Sequence, residues 1–480
     1  MVLDIDLNEG ELKNIKPKDP TSFKVAPGKR KDGKKKPFLK GLLITLLILL
    51  LGGLGYSLWR GISITNTIGL KINPVELIKE KDPELKKDSE GKHTNVLIVG
   101  VDSRNGSDIS NTDTLIVASY NYETKNLSMI SIPRDFHVEI NPDTKWFARI
   151  NSVYPSAEGK AKGTGFKALQ NTIKDITGLE TQYYALVDFK AFVEIIDRVG
   201  GVNINVENSF VDYNYPDGRK HKTVKFTAGP QLMDGDTALM YSRSRYSQNL
   251  VENGDYARAK RQQKVILALT NKISQDETFK DPQKVMGVIS SLVNNIKISE
   301  FTITDIRAGI NLLQDFTTEE RKTYSFVLDP SSGAKELIEV KTMPSGAFAI
   351  GPKKGLGEYE DIRKFVKAVD MNPKLYAEKP TIYVHDIGLG YTEVTKKIEE
   401  LKKEIPYIKI SRAPTLFKDK DGNYVYSNVD TFPETINSFA KYLGTENKIK
   451  PEFITSVSNG DGVIILLGKP TQLSTSESEI

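Results

Sequence analysis

An uninterrupted apolar run near the amino terminus limits the architecture of this chain more than any other feature of its sequence. Residues 41–59, GLLITLLILLLGGLGYSLW, contain no charged side chain and have the length with which an α-helix crosses a bilayer. The preceding residues 28–40, GKRKDGKKKPFLK, carry seven basic side chains and one acidic side chain. Because such basic flanks stay on the cytoplasmic side, we expect residues 1–40 to form a disordered cytoplasmic tail and residues 41–60 a transmembrane helix.

A cleaved signal peptide is the alternative explanation of the same run. The leader before the run is long, and no A-x-A cleavage site follows it, so a permanent signal anchor fits better. The sequence therefore predicts a single-pass protein of the cell membrane. Its amino terminus is cytoplasmic, and residues 61–93 connect the anchor to extracellular domains.

The composition restricts the chemistry of those domains. The 480 residues include no cysteine and only four histidines, and the net charge is +5. Disulfides and thiolate-bound metals are excluded, and little material is left for a histidine-based metal or catalytic centre. The net charge is too small to indicate nucleic-acid binding by itself. Catalysis would have to use carboxylates, arginines, hydroxyl groups or a hard cation.

Strand-like and helix-like segments alternate from residue 94 onward. The run TNVLIVGVD, residues 94–102, predicts a strand buried on both faces, and DTLIVASYN, LSMISIP, YYALVDF and VNINVEN predict further strands of the same sheet. Residues 165–178 and the segment between Asp188 and Gly200 have helical periodicity with capping residues at their ends. This order predicts an α/β fold, a three-layer α/β/α domain with a mixed central sheet over residues 94–330.

The same pattern restarts beyond residue 378. Three strand-like runs, KPTIYVHDIG, YIKISRA and GVIILLG, alternate with two amphipathic helical segments and predict a smaller C-terminal α/β domain over residues 378–470. We interpret residues 331–377 as a linker or extension between the two domains. We expect the polar residues 471–480 to form a disordered tail.

Two aspartates lie at the ends of neighbouring predicted strands. Asp102 ends the first strand and Asp113 begins the next, and ligands of open α/β sheets bind at such edges. Two carboxylates without histidine or cysteine suit a hard cation. Mg²⁺ in particular binds through one or two carboxylates and completes its shell with water and phosphate oxygens. The alternative for this pair alone is that each aspartate caps a turn.

Arginine is concentrated in one stretch of a chain that is otherwise rich in lysine. Residues 241–263, YSRSRYSQNLVENGDYARAKRQQ, contain Arg243, Arg245, Arg258 and Arg261. Arg243 and Arg245 are two residues apart, so on an extended strand both would point to one face. Asp255, Arg258 and Gln262 follow one stripe of a helix, with Arg261 beside it. A strand and the helix after it would then aim four arginines toward a common volume.

Arg134 and Asp135 strengthen the case for an anion site. They directly follow the third predicted strand in SIPRDF, which its proline terminates. Arginine grips phosphate oxygens in pairs, which lysine cannot do. A cation surrounded by arginines is the arrangement expected around a pyrophosphate. Salt bridges on a solvated face are the alternative.

Taken together, these segments resemble the LytR–CpsA–Psr family. The resemblance rests on NVLIVGVDSR, NTDTLIVAS, MISIPRDF, RINSVY, VGGVNINV, FTAGPQLMDGDTALMYSRSR and DYARAKRQQKVI, which follow the family's order over residues 94–275. It implies an Mg²⁺-dependent phosphotransferase, with Mn²⁺ as the alternative cation. Such enzymes move an anionic glycopolymer (teichoic acid, capsule or secondary wall polysaccharide) from a polyprenyl-pyrophosphate carrier to peptidoglycan.

The resemblance also implies a role for each matching residue. Asp102 and Asp113 match the family's cation ligands. The pyrophosphate clamp is matched by Arg134, Arg243, Arg245, Arg258 and Gln262, with Arg261 adjacent. Catalysis is assigned to Arg134, Asp135, Arg243 and Arg245, and the carboxylate that orients or deprotonates the sugar hydroxyl is Asp135 or Asp102. Residues 380–470 resemble the LytR-type C-terminal domain, although VHDIGLGY replaces its usual asparagine–glycine turn.

A polyprenyl carrier also needs an apolar slot. The family implies a hydrophobic tunnel between the sheet and the helices, and one broad apolar helical face offers a wall for it: Phe189, Phe192, Val193, Ile196 and Val199. Ordinary core packing against the sheet is the alternative for most of these side chains.

A regulatory role is the competing hypothesis. Proteins of this family have been labelled transcriptional regulators or attenuators, so a non-catalytic, membrane-anchored wall-binding protein is the alternative function. Direct contact with DNA is disfavoured, because the basic tail lacks a helix-turn-helix pattern and the arginines lie beyond the predicted membrane span.

Overall fold

The computed structural model describes residues 84–102, 110–141, 146–218, 220–275, 296–299, 308, 323–330, 337–342, 346, 348–455 and 461–470. The predicted cytoplasmic tail, transmembrane helix, most of the connector and the C-terminal tail lie outside these residues. Within them, no helix combines the length and the apolar character needed to cross a bilayer.

The described strands and helices alternate along the chain. The strands are β1 His93–Val101, β2 Thr112–Asn121, β3 Asn126–Ser131, β4 His137–Asn141, β5 Trp146–Arg149, β6 Tyr183–Asp188, β7 Val202–Val206, β8 Phe210–Asp217, β9 Lys220–Phe226, β10 Gly229–Met233, β11 Ile296–Ile298, β12 Thr323–Val327, β13 Ile338–Thr342, β14 Phe348–Pro352, β15 Thr381–Asp386, β16 Lys409–Arg412, β17 Asn423–Ser427 and β18 Val463–Leu467. The helices are α1 Val153–Lys160, α2 Gly165–Thr177, α3 Phe189–Arg198, α4 Gly235–Arg243, α5 Gly254–Gln275, α6 Glu360–Met371, α7 Pro373–Glu378, α8 Tyr391–Glu404 and α9 Pro433–Tyr442.

Six of these strands form one mixed sheet, in the order β11-β6-β1-β2-β3-β12. β1 runs antiparallel to β2 and parallel to β6, while β3 runs antiparallel to β2 and parallel to β12. The prediction of an α/β fold with a mixed central sheet is therefore confirmed, and the predicted first three strands are β1, β2 and β3.

Alternate residues of the central strands enter two separate cores. In β1, Val96 and Ile98 face a core that includes residues of α3, α4 and α5. Leu97 and Val99 face a second core that includes residues of α1, α2 and α6. The strand is thus buried on both faces, which explains its nearly continuous apolar sequence. Helices cover the sheet on both sides, as a three-layer α/β/α arrangement requires.

Two predicted helix boundaries coincide with capping residues. Asp188 precedes α3, and its carboxylate accepts a hydrogen bond of 2.8 Å from the backbone N–H of Ala191. Gly178 ends α2 with φ at 78°, a left-handed conformation that glycine adopts without steric cost. The cap at Asp188 also brings the start of α3 to the sheet edge at which β1 ends, because β6 and β1 are parallel.

One predicted strand of the central sheet lies elsewhere. β7 forms from VNINVEN, but it pairs with β10 in a separate two-stranded ribbon. Its apolar residues Val202, Ile204 and Val206 are buried in the core beneath α5, whereas Asn203 and Asn205 are exposed. A strand with one wet face suits a surface ribbon, so the clean alternation of this segment distinguishes it from the continuous apolar runs of β1 and β2.

A second sheet follows in the C-terminal part of the chain. Its order is β16-β15-β18-β17, with β15 parallel to both β16 and β18 and β17 antiparallel to β18. The three strands predicted there are present as β15, β16 and β18, and the helices between them are α8 and α9. The strand β17 was not predicted from the sequence.

The segment interpreted as a linker contains packed structure. Over its described residues, α6 packs against α2 and α7 contacts β12. The buried side chains of α6 share one apolar core with residues of both sheets, for example Val366 with Val99 and Val384. The amphipathic stripe of α6 explains this packing, because its apolar face needs a partner surface. The description of residues 331–377 as a linker is therefore corrected to a structural bridge.

His93 ties the start of the sheet to this bridge. Its Nδ1 lies 2.7 Å from Asp88 Oδ2, and its Nε2 lies 2.9 Å from Asp370 Oδ2 at the end of α6. Asp370 also accepts a hydrogen bond of 2.9 Å from Asn121. Burial alone would lower the pKa of His93, but the hydrogen bonds and charges of Asp370 and Asp88 raise it to about 9. The imidazole is therefore a cation between two carboxylates at neutral pH.

We expect this contact to make stability depend on pH. Because the pKa of His93 is raised from 6.5 in the unfolded chain to about 9 in the folded one, its stabilising contribution is complete below pH 6.5 and is lost as the pH rises through 9. A His93→Gln variant should melt at a lower temperature than the parent at pH 6.5, and the difference should shrink toward pH 9.5. Thermal melts of both proteins across this range test the assignment, and a difference that does not change with pH would contradict it.

Candidate active site

Three strand ends meet at one edge of the central sheet. Because β2 is antiparallel to both of its neighbours, the end of β1, the start of β2 and the end of β3 lie together. Asp102 directly follows β1, Asp113 is the second residue of β2, and Arg134 lies just beyond β3. The fold thus brings to one edge three side chains that the sequence singles out.

Each of the two aspartates contacts a different arginine. Arg134 Nη1 donates a hydrogen bond of 2.8 Å to Asp113 Oδ1, and Arg243 Nη2 lies 3.9 Å from Asp102 Oδ2. Burial lowers the pKa of Arg134, but its hydrogen bond with Asp113 and the charges of Asp255 and Asp135 raise it overall. Arg134 is therefore held as a cation at the centre of the edge.

Helix α5 brings a second group of charges to the same place. Asp255 Oδ1 lies 2.9 Å from Arg258 Nη1 and 3.5 Å from Arg245 Nε. Arg258 and Gln262 stand one helical turn apart, as their spacing predicts. A small cleft between α5 and the sheet edge is lined by Asp113, Arg134, Asp255, Arg258, Gln262 and Asp329, among others.

The cations of this cleft are incompletely paired. Burial lowers the pKa of Arg258 to about 10; Asp255 opposes this shift, while the charges of Arg134 and Arg245 add to it. The Nε atoms of Arg134 and Arg258 are buried and have no hydrogen-bond partner. Buried donors without a partner are costly. Three guanidinium groups around one volume therefore form a site suited to a ligand with several negative charges.

Arg243 and Arg245 do not lie on a strand, contrary to expectation. Arg243 is the last residue of α4, and Arg245 follows the helix after the fully buried Ser244. The helix begins at Asp234, whose side chain accepts a hydrogen bond of 2.8 Å from the backbone N–H of Thr237. The aspartate cap in MDGDTALM is a helix-start signal, and it identifies α4 better than the two-residue spacing of the arginines does.

Asp212 on β8 shapes the segment that carries Arg245, and sequence reasoning missed it. The buried carboxylate of Asp212 accepts hydrogen bonds from Ser244 Oγ at 2.6 Å and from the backbone N–H groups of Arg245 at 3.0 Å and Tyr246 at 3.1 Å. Burial disfavours its charge, but these hydrogen bonds lower the pKa of Asp212. It positions Arg245 from a strand distant in sequence, so no local motif reveals it.

Arg243 stands between the charged cleft and an apolar region. Its guanidinium carbon lies 4.2 Å from the ring centroid of Phe189, and its Nη1 donates a hydrogen bond of 2.9 Å to Tyr215 Oη. These contacts fix a planar cation over an aromatic face while its other amino group reaches toward Asp102.

Arg261 does not reach the cleft. Its side chain is 1% exposed. Its Nε donates to Tyr241 O at 2.9 Å, its Nη1 to both Glu252 O at 3.0 Å and Glu252 Oε2 at 2.8 Å, and its Nη2 to Ser244 O. With its donors used inside the protein, Arg261 holds the end of α4 against α5. The expectation that it contacts the ligand is therefore replaced by a structural role.

An apolar cavity of about 110 Å³ continues from the cleft between the sheet and the helices α3, α4 and α5. The stripe of α5 that carries Gln262 goes on with Val265, Ile266 and Leu269, all of which line the cavity. Arg243 and Gln262 stand at its polar end. One helix thus presents charges to the cleft through its first turns and hydrocarbon to the cavity through its later ones.

The predicted apolar wall is divided between three environments. Phe189 and Phe192 line the cavity, as expected, and so does Ile195, which was not singled out. Val193 lines a neighbouring groove between α3 and α4. Ile196 and Val199 are buried in the core. The helix turns by 100° per residue, so a face broad enough to hold five apolar residues cannot direct all of them into one cavity.

The two candidate bases flank the cleft. Asp135 Oδ1 lies 3.3 Å from Arg149 Nη1, and its Oδ2 lies 3.6 Å from Arg134 Nε. Asp102 lies on the other side, beside Arg243. Both carboxylates therefore accompany an arginine assigned to the ligand, and each is open enough for contact with solvent, at 25% and 23% exposure.

Oxygen donors are available for a hard cation. In the described part of the chain, no group of three or more histidine, cysteine, aspartate or glutamate side chains is arranged to hold a metal ion. Asp102 and Asp113 supply two carboxylates at adjacent strand ends, which is the protein share that Mg²⁺ commonly uses. The donor set therefore fits Mg²⁺ only if water and phosphate oxygens complete the shell.

Two further residues support the cleft without having been predicted. Asp329 follows β12, lines the cleft and is 7% exposed. Gln263 is buried on α5, where its Nε2 donates to Ser131 Oγ at 2.9 Å and to Phe326 O at 3.0 Å. Gln263 thus fixes α5 to the strands β3 and β12, which sets the position of Arg258 and Gln262.

Comparison with known proteins matches the part of the chain that contains this cleft. The model of the LytR_cpsA_psr family matches residues 65–323, more than half of the chain. The chain belongs to the LytR_cpsA_psr family. The match ends before the C-terminal sheet begins.

Similar proteins of this family carry different names. The polyisoprenyl-teichoic acid–peptidoglycan teichoic acid transferase TagU of Oceanobacillus iheyensis is 31% identical over 285 residues, which cover 57% of this chain and 81% of that protein. The regulatory protein MsrR of Staphylococcus aureus is 31% identical over 253 residues, covering 52% of this chain and 71% of that protein. The crystal structure of Bacillus subtilis TagV has 23% identity and a TM-score of 0.43, covering 57% of this chain and 96% of that one.

Proposed function

We propose that this protein transfers an anionic glycopolymer from a polyprenyl-pyrophosphate carrier to peptidoglycan. The observation that carries the proposal is the junction at Arg243, where a cleft with incompletely paired buried arginines opens beside an apolar cavity. A ligand that satisfies both halves has several negative charges joined to a hydrocarbon chain. A lipid pyrophosphate is such a ligand, and similar family members are named teichoic acid transferases.

The proposed setting is the outer surface of the cell membrane. The apolar run of residues 41–59 with its basic flank would anchor the chain with its amino terminus in the cytoplasm. The carrier lipid and peptidoglycan meet on the opposite side, where the cleft would then lie. We assign the C-terminal α/β unit to the LytR-type domain and to engagement of the wall.

The cation of the proposed reaction is Mg²⁺, with Mn²⁺ as the alternative. Asp102 and Asp113 would hold it, together with phosphate oxygens and water. Such an ion neutralises charge on the phosphate oxygens when it is bound. Arg134 donates to Asp113, so the same contact orients the carboxylate and the guanidinium group.

The protein's own residues would bind and stabilise the reacting phosphates. Arg134, Arg245 and Arg258 surround the charged end of the donor, and Arg243 marks the start of the lipid cavity. A hydroxyl oxygen of the wall sugar attacks the phosphorus that bears the polymer. The bond from this phosphorus to the bridging oxygen breaks, and polyprenyl phosphate leaves. Pre-aimed arginines stabilise the charge that develops, and one such donor commonly contributes about 3 kcal/mol.

The proton of the attacking hydroxyl goes to a carboxylate at the sheet edge. Asp135 and Asp102 are the two candidates, and each lies within ion-pair distance of an arginine that would contact phosphate. A charged arginine next to a carboxylate favours its ionised form, which is the form that accepts a proton.

The lysine variant of Arg245 tests the proposal. Lysine keeps the charge but loses the planar fork that holds two phosphate oxygens, so Arg245→Lys should lower polymer transfer by more than about tenfold, or ~1.4 kcal/mol of transition-state stabilisation. The measurement is the transfer rate from a synthetic lipid-pyrophosphate donor, with a melting curve for each variant.

Arg198→Lys is the matched control. Arg198 pairs with Glu194 at 2.6 Å on the surface of α3, and such exposed pairs contribute at most about 1 kcal/mol. Its lysine variant should transfer at the parent rate. Normal transfer by Arg245→Lys would eliminate the clamp, and absence of transfer by the parent protein would favour a regulatory, non-catalytic role, as in the name of MsrR.

A further inference from the structure

We infer that one face of the β8–β9 hairpin binds the anionic polymer of the donor as the polymer leaves the cleft. The inference rests on the proposed function for its ligand, an anionic, phosphate-bearing glycan chain, and assigns that ligand a site beyond the pyrophosphate. The face is defined by Lys220 and Lys222 of β9 and is called the lysine face below.

The lysine face is the outward continuation of a core-facing strand surface. Side chains alternate along β9, and its last members Val224 and Phe226 are buried in the core. Residues two and four positions before Val224 lie on the same side of a strand, and these are Lys222 and Lys220. The strand therefore enters the core at one end and presents two exposed cations beyond it at the other.

The lysine face is continuous with the candidate active site through Tyr215. In the hairpin register, Tyr215 of β8 pairs with Lys222 of β9. The Nζ of Lys222 lies 5.6 Å from the centroid of the Tyr215 ring, and the guanidinium carbon of Arg243 lies 5.3 Å from the same centroid. Arg243 also donates a hydrogen bond to Tyr215 Oη. A buried aromatic ring thus joins the cation at the cleft to the first cation of the hairpin.

Acidic side chains leave this surface positive. Asp217 pairs with Lys220 in the hairpin register, and its Oδ2 lies 3.9 Å from Lys222 Nζ, at the limit of an ion pair. The other aspartate of the hairpin, Asp212, is fully buried and engaged with the segment after α4. One exposed carboxylate therefore faces two lysines.

These features favour a flexible polyanion over a single small anion. Lysine is a point charge on a mobile stem, which suits repeated phosphate groups without fixed geometry, whereas the arginines of the cleft suit one phosphate group held in pairs of hydrogen bonds. Attraction between exposed charges is screened by salt, so binding at the lysine face should weaken steeply as ionic strength rises. The polymer would then be selected by its charge, separately from the carrier lipid.

Binding of a soluble polyanion to the full-length protein in detergent micelles tests the inference. The probe is poly(glycerol phosphate), with uncharged dextran of similar length as the neutral comparison. Lys222→Ala should weaken binding of poly(glycerol phosphate) about threefold and the Lys220→Ala/Lys222→Ala variant about tenfold, because each exposed charge contributes up to ~1 kcal/mol. Dextran binding should be unchanged.

The same strand provides the matched control. Lys225 is exposed on the opposite side of β9, where it pairs with Val211. Lys225→Ala removes the same charge from the same hairpin and should change binding by less than about twofold. Equal losses in Lys222→Ala and Lys225→Ala would overturn the inference, because only the net charge of the hairpin would then matter.

Transfer measurements separate this inference from the proposed function. With a lipid-pyrophosphate donor that carries an uncharged disaccharide, the double lysine variant should match the parent, while KM for a polymer-bearing donor should rise about tenfold. Equal losses with both donors would mean that the lysines act only through Tyr215 and Arg243, and the inference would fail. Lysine-dependent polyanion binding by a parent protein without transfer activity would support the lysine face and reject the proposed function.

Discussion

Replacing Arg258 with methionine should lower glycopolymer transfer by more than about 100-fold without lowering the melting temperature. Arg258 is 8% exposed, and burial together with the charges of Arg134 and Arg245 lowers its pKa. Its charge therefore costs folding free energy, while Asp255 retains Arg245 at 3.5 Å after the substitution. A site that keeps a costly cation needs it for binding an anion, so activity and stability should separate. Transfer rates and thermal melts of the purified variant measure the two effects.

Arg261→Met is the matched control on the same helix. Arg261 is also buried, but it pairs with Glu252 and donates to the backbone of the segment after α4. Removing one partner of a buried pair costs about 3–5 kcal/mol, so this variant should be strongly destabilised. If Arg258→Met were destabilised to the same degree as Arg261→Met, Arg258 would be a structural residue and the anion site would lose its central cation.

The second large effect is expected at Asp113. The Asp113→Asn variant keeps the size of the side chain and an oxygen that accepts from Arg134, but it loses the negative charge that a divalent cation requires. We expect transfer at saturating donor and ordinary Mg²⁺ concentration to fall by more than about 100-fold. Part of that loss should be recovered at higher Mg²⁺ concentration, and the melting temperature should stay close to that of the parent.

Asp361→Asn provides the comparison. Asp361 resembles Asp113 in exposure, at 27% against 31%, and it lies 2.8 Å from a cation, Lys354 Nζ, as Asp113 does from Arg134. It belongs to α6, away from the cleft, so its variant should transfer normally. An Asp113→Asn enzyme with parental rate and parental Mg²⁺ dependence would refute the assignment of this carboxylate to the cation.

The strands of the cleft were predictable because local sequence determines them. The continuous apolar runs of β1 and β2 reflect burial on two faces, and the polar residues at their ends, Asp102 and Asp113, reveal the sheet edge. The stripe Asp255, Arg258 and Gln262 was also predictable, because helical periodicity alone puts these side chains on one side of α5. The same periodicity separates Arg261 from Arg258 and Gln262 and directs it inward.

The remaining features depend on contacts between distant segments. Arg245 leaves α4 in an extended conformation because Asp212, on another strand, binds the backbone after Ser244. Gln263 is an inconspicuous amide in sequence, yet it fixes α5 to two strands. Neither role produces periodicity or a motif. Likewise, nothing local distinguishes β7, which pairs outside the central sheet, until its partner β10 is known.

The apolar core shared by the two sheets has a consequence for genetic dissection of this protein. Val384 and Val463 of the C-terminal sheet belong to the same core as Leu97 and Val99 of the central sheet, with α6 between them. A stop codon near residue 376 would therefore strip hydrocarbon from the catalytic half as well as remove the C-terminal half. We expect cells carrying such a truncation to lose the whole protein to proteolysis. A loss-of-function phenotype of the deletion would then report on folding, whereas surface substitutions in α8 or α9 leave the core intact and isolate what the C-terminal half does.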